Sequence, residues 1–215
     1  DGREEPFGTS WVIDEGRLAT NAHVARKYLT LNPGEQLIAR QANVAGGSPR
    51  DYRIDGVEFH PGYDAFSRLW SDYQPAVISP TKDVDFVKAA GSACDIAIMT
   101  LANAEGLAPP LSLAANVEAG QPIGFVGFPI EGLAMQGVNV KNPVATSQDG
   151  RVTSITTFFN TIDLELTGGT HNTLIQHNLP ATGGASGSPL LNRFGEVVGI
   201  LNAVNFVIIG DQRIP

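Results

Sequence analysis

Apolar residues in this chain fall in short runs rather than at helical spacing. Runs rich in Val, Ile, Phe and Leu recur at 8–13, 17–20, 36–41, 52–59, 95–101, 122–127, 151–157, 174–176, 188–191, 197–203 and 206–210. Gly, Asn, Asp or Pro bound many of them, the pattern of β-strands separated by turns. Asn192-Arg193-Phe194-Gly195 lies between two of these runs and predicts a hairpin turn. Helical periodicity is almost absent, and only residues 21–29 predict a short helix.

Composition narrows this to a turn-rich all-β fold. Of 215 residues, 24 are Gly and 14 Pro, and 42% are apolar against 17% charged, which is too apolar for disorder and too rich in turn formers for a helical bundle. Paired prolines and small residues make 106–119 an extended linker between two halves, 1–105 and 120–215. The long connection 61–93 carries Tyr63, Phe66, Trp70 and Tyr73, and suits either a packed surface excursion or a substrate-facing wall.

Charge and cysteine content exclude several functions. A net charge of −8 with no basic stripe disfavours nucleic acid and anionic membrane surfaces as partners. The single cysteine, Cys94, rules out an internal disulfide. The uncharged stretch 166–192 is broken by Gly168, Gly169, His171, Asn172, His177 and Pro180, so it does not read as a spanning helix. The chain opens at Asp1 without Met, so a processed N-terminus and an upstream signal or anchor are expected.

Three segments carry candidate chemistry. In Gly183-Gly184-Ala185-Ser186-Gly187-Ser188-Pro189 a serine sits among small residues. Glycines beside it allow a tight turn, and the N–H groups of Gly184 and Ser186 can converge on one point as an oxyanion hole requires. Read alone, the segment is equally a Gly/Ser turn. Thr20-Asn21-Ala22-His23 presents one histidine at the start of the short helix, and Asp95 opens an apolar strand. Alone, these are a structural histidine and a cap. Together they run in the order His23, Asp95, Ser186, one of the orders in which such triads occur.

These segments resemble the trypsin-like (chymotrypsin-fold) serine peptidases, above all bacterial HtrA-like and glutamyl-endopeptidase-like proteases. Thr20–Val24 (T-N-A-H-V) is similar to the family's histidine motif, D-I-A-I at 95–98 to its aspartate motif, and G-A-S-G-S-P at 184–189 to its serine motif. G-T-S-W-V-I at 8–13 and G-F-V-G-F-P at 124–129 resemble two further family strands. The resemblance implies two six-stranded antiparallel β-barrels, 1–105 and 120–215, joined by 106–119, with the active site in the cleft between them. It implies His23 as general base and acid, Asp95 as its orienting partner, Ser186 as nucleophile, and the Gly184 and Ser186 N–H groups as oxyanion donors. Substrates would be proteins or peptides, with no cofactor. No metal is implied either, since His60, His171 and His177 lack ligand spacing with one another or with Cys94.

The same resemblance places a primary specificity pocket at Leu179, Pro180, Ala181, Thr182, Asn202, Ala203 and Val204. It holds no acid, so small or medium apolar side chains are expected there, with His177 facing an acidic side chain as the alternative. It also implies export in a bacterium, to the periplasm or beyond. Ala185 departs from the pattern, since the family usually carries Asp or Asn before the nucleophile. An alanine cannot pair with a freshly cut N-terminus, so the loop must be ordered by other contacts. A catalytically silent module that binds peptides or a partner is the competing reading.

Overall fold

The computed structural model describes residues 4–42, 47–63, 85–86, 94–129, 140–157, 173–181, 183–202, 207–209 and 212–214. Strands of the first half are β1 (Trp11–Asp14), β2 (Arg17–Thr20), β3 (Ile38–Gln41), β4 (Arg50–Phe59), β5 (Asp85–Phe86) and β6 (Ala97–Leu101). Between β2 and β3 lie a one-turn helix, α1 (Ala22–Ala25), and a 3-10 turn (Arg26–Thr30). The second half contributes β7 (Pro122–Gly127), β8 (Thr146–Thr157), β9 (Thr173–His177), β10 (Pro189–Asn192) and β11 (Val197–Ile200). Two short strands follow, β12 (Val207–Ile209) and β13 (Gln212–Ile214).

Each half is built on one five-stranded antiparallel sheet, ordered β1-β2-β6-β4-β3 in the first and β11-β10-β7-β8-β9 in the second. Side-chain alternation gives each sheet one apolar face, which is turned to a core. Tyr52 and Ile54 of β4 and Ala97, Met99 and Leu101 of β6 fill the first core together with Leu18. Ile123 and Phe125 of β7, Val152 of β8 and Leu190 of β10 fill the second. The predicted hairpin at 192–195 is present: Asn192 Oδ1 accepts the N–H groups of Phe194 and Glu196, and Gly195 takes a φ of +78°.

The main sheet of each half holds five strands among the described residues, slightly fewer than the six expected. Within the run 206–210, Val207–Ile209 forms β12, which pairs with β5 from the first half and with β13. At the other end, residues 8–10 do not extend β1, because Thr9 spends its N–H on Ser186 O rather than on a neighbouring strand. Most of the aromatic connection 61–93, including Phe66, Trp70 and Tyr73, lies outside the described residues.

A third cluster joins the halves. Trp11 of β1 and Ala19 of β2 pack with Val197 of β11, flanked by Ile13, Ile98, Leu111 and Leu191. The connection 106–119 is laid against both sheets: Leu111 N–H donates to Val12 O, while Val197 N–H donates to Ser112 O and Ala114 N–H to Val197 O. No helix among the described residues is long and apolar enough to cross a membrane.

Candidate active site

α1 begins one residue after β2 and so places His23 at the end of that interior strand. Asn21, at the N-cap position, makes no capping bond with its side chain. Its Nδ2 instead donates to the Asp95 carbonyl at 2.9 Å, tying the start of the helix to the segment before β6. That segment bends sharply, with Cys94 at φ +62° and Ile96 N–H donating to Cys94 O at 2.8 Å. A positive φ at a non-glycine residue is costly, and here it turns the Asp95 side chain under the helix.

Asp95 is held from two sides. Its Oδ1 accepts the His23 backbone N–H at 2.8 Å, and its Oδ2 lies 2.6 Å from His23 Nδ1. An ionised carboxylate only accepts, so Nδ1 carries the hydrogen and Nε2 of a neutral ring is left as the basic nitrogen. Side-chain exposure divides the pair into a fixed anion and an accessible base, 2% for Asp95 against 41% for His23.

Ser186 sits on the turn that leads into β10. Its carbonyl accepts from Thr9 N–H at 2.8 Å, and Ser188 N–H donates to Ala185 O at 3.0 Å. Gly187 lies at φ +88°, where a Cβ would collide with the Thr9 carbonyl, so only glycine fits. Among the described residues the N–H groups of Gly184 and Ser186 have no protein acceptor and remain available to an incoming oxygen. Ser186 Oγ makes no hydrogen bond to His23 among the described residues; in ligand-free active sites such bonds are often long and tighten on substrate binding.

The expected pocket residues divide four ways. Leu179 is buried in the second core beside Phe125 and Ala185, Pro180 is exposed, and Ala181 and Asn202 are half-buried. Thr182, Ala203 and Val204 lie outside the described residues. His177 ends β9 with Nδ1 accepting Leu179 N–H at 3.2 Å, and burial pushes its pKa below the ordinary histidine value. It is therefore a neutral ring bonded to its own chain. Burial also pushes the Cys94 thiol up, away from thiolate character. Among the described residues no group of three His, Cys, Asp or Glu is placed to hold a metal ion.

Two residues that sequence reasoning did not single out tie the site together. Asn21 was visible only as part of the histidine motif. Thr9 was visible only as a polar residue heading an apolar strand, although its Oγ1 donates to Gly184 O at 2.9 Å and its carbonyl accepts from Thr20 Oγ1 at 2.7 Å.

The family model for the trypsin-like peptidase domain matches residues 8–200. The crystal structure of Deg5 is similar with a TM-score of 0.54 at 19% identity, covering 95% of this chain and 78% of that one. The structure of Glu endopeptidase in complex with MPD is similar with a TM-score of 0.52 at 14% identity, covering 90% and 72%. At these identities the likeness is one of fold. No curated protein sequence matches this chain.

Proposed function

This chain belongs to the trypsin-like peptidase family and is a serine protease, and from that premise we propose that it is an endopeptidase working through His23, Asp95 and Ser186. The observation that carries the assignment is the double hold of Asp95 on His23, through Nδ1 and through the backbone N–H. It leaves Nε2 as a base directed away from the carboxylate, the arrangement general-base catalysis needs.

On this reading His23 Nε2 takes the proton of Ser186 Oγ as that oxygen attacks the scissile carbonyl carbon. The buried Asp95 carboxylate stabilises the imidazolium without accepting its proton. Negative charge gathers on the former carbonyl oxygen, where the Gly184 and Ser186 N–H groups donate to it. His23 then passes its proton to the leaving amine, and an acyl-enzyme on Ser186 remains. Water, deprotonated by the same histidine, releases the product acid. The uncharged segments 179–183 and 202–204 favour a small or medium apolar side chain next to the cleaved bond.

A serine-directed fluorophosphonate should label the protein, and Ser186→Ala should abolish both labelling and peptide hydrolysis with the thermal transition unchanged. A well-folded wild-type protein that resists labelling overturns the triad and leaves the silent binding module in its place.

A further inference from the structure

Ala185 is fully buried, packed in the core formed with Phe125, Val152, Leu179, Leu190 and Leu201. A methyl group offers nothing to the peptide groups around it, so another residue must fix the direction of the neighbouring N–H groups. The loop needs such a constraint, since Gly183, Gly184 and Gly187 give it wide backbone freedom and Gly184 already lies at φ +87°.

Thr9 supplies the constraint from the other half of the chain. Its N–H donates to Ser186 O at 2.8 Å, its Oγ1–H donates to Gly184 O at 2.9 Å, and its Oγ1 accepts Phe128 N–H at 3.1 Å. Its own carbonyl is held by Thr20 Oγ1 at 2.7 Å. At 4% exposure these bonds are shielded from water, where losing a partner is most costly. Peptide groups are planar, so pinning a carbonyl fixes the N–H across the same bond. Ser188 N–H pins the Ala185 carbonyl and with it the Ser186 N–H. Thr9 N–H pins the next peptide plane, and Thr9 Oγ1 pins the plane that follows the Gly184 N–H.

We infer that Thr9 is the positioning residue of the oxyanion loop, its hydroxyl doing from the first barrel what a charged side chain at position 185 is not there to do. The inference rests on the proposed roles of Ser186 as nucleophile and of Gly184 and Ser186 as oxyanion donors. Thr9 touches no reacting atom. It fixes the peptide plane that follows each donor residue, the planes carrying the Ala185 and Gly187 N–H groups, and so limits how the turn between them can rotate.

The test is saturation labelling by an alkyl fluorophosphonate, which separates the chemical rate constant kinact from the binding constant KI without a known substrate. Thr9→Val keeps the shape and the backbone N–H but removes both hydroxyl bonds. It should lower kinact by about 10- to 100-fold, less than the loss of an oxyanion donor itself, and leave KI within about twofold. Thr9→Ser restores the hydroxyl and should label within about threefold of wild type. A purely structural role would shift the melting temperature and the fraction that labels, not kinact of the labelled fraction. If Thr9→Val does not fold, Thr9→Ala takes its place and should lose kinact to the same extent. Wild-type kinact in the Val or Ala variant, or a Ser variant as slow as Val, overturns the inference while the triad stands. Wild-type protein that does not label overturns both.

Discussion

His177 closes β9 with its ring withdrawn from water and its Nδ1 committed to the Leu179 N–H. Burial lowers its pKa from the ordinary 6.5, so between that value and the lower folded one the unfolded chain binds the proton and the folded chain does not. The stability that comes from keeping this ring neutral is therefore complete above pH 6.5 and lost as pH falls through the folded value. Urea unfolding at pH 7.5 and pH 5 should show wild type losing more stability on acidification than His177→Gln; equal losses would place the titration elsewhere. Single residues of this kind were partly legible in the sequence. His23, Asp95 and Ser186 stand in segments that the family resemblance singled out, and the first two lie within hydrogen-bond reach of each other. The role of Thr9 was not legible, because a threonine before an apolar run is unremarkable until the chain folds Gly184 and Ser186 against it. Nor was the protonation state of His177, whose lowered pKa comes from burial that only the folded chain provides.

At the scale of elements, Arg40 of β3 ties its ladder partner Asp51 on β4 to two segments outside the sheet. Its guanidinium makes two bonds to Asp51 at 2.6 Å each, two to Glu4 at 2.8 and 3.1 Å, and one to Val140 O at 2.6 Å. The N-terminal segment, the start of β4 and the segment before β8 thus share one cation. Arg40 bonding holds the Asp51 and Glu4 carboxyls below their usual range. Asp51 and Glu4 are 46% and 36% exposed, so solvent screens much of this attraction. Arg40→Gln should lower stability at pH 7 by about 1 kcal/mol through the Asp51 pair, a melting shift of about 2–4 °C. Because Asp51 is depressed, that contribution is present above 3.8 and lost as pH falls through its folded value, so the variant and wild type should converge in acid. A difference that persists at pH 2 would point to packing of the arginine stem instead. Strand positions were the most legible features at this scale: β7 matches its expected bounds of 122–127, and β2 those of 17–20. Both are short apolar segments with turn residues at each end, so local chemistry sets their limits. The helix expected over 21–29 is divided into α1 and a 3-10 turn that begins at Arg26.

For the whole molecule the deciding feature is the cluster of Trp11, Ala19 and Val197, with Leu111 from the connection packed on it. Chains above about 150 residues often unfold in stages. Here the seam shares apolar contacts and hydrogen bonds between the halves, so far-UV circular dichroism and loss of fluorophosphonate labelling should follow one coincident thermal transition. Two separated transitions would mean that the barrels are independent units. Val197→Ala should cost about 2 kcal/mol and weaken this coupling along with global stability. Such long-range docking was the least legible level, since the pairing of β12 with β5 joins segments whose local sequences give no sign of each other. The bond from Thr9 to Gly184 also has a consequence for how the protein is made. Its ends lie 175 residues apart. At roughly 5–20 residues per second, synthesis leaves the early strands waiting many seconds for the loop they must hold. A nascent polypeptide therefore carries Thr9 while its partners are still missing, and on the proposed reading it gains cutting power only after residues 184–186 have been made and folded against the first strands.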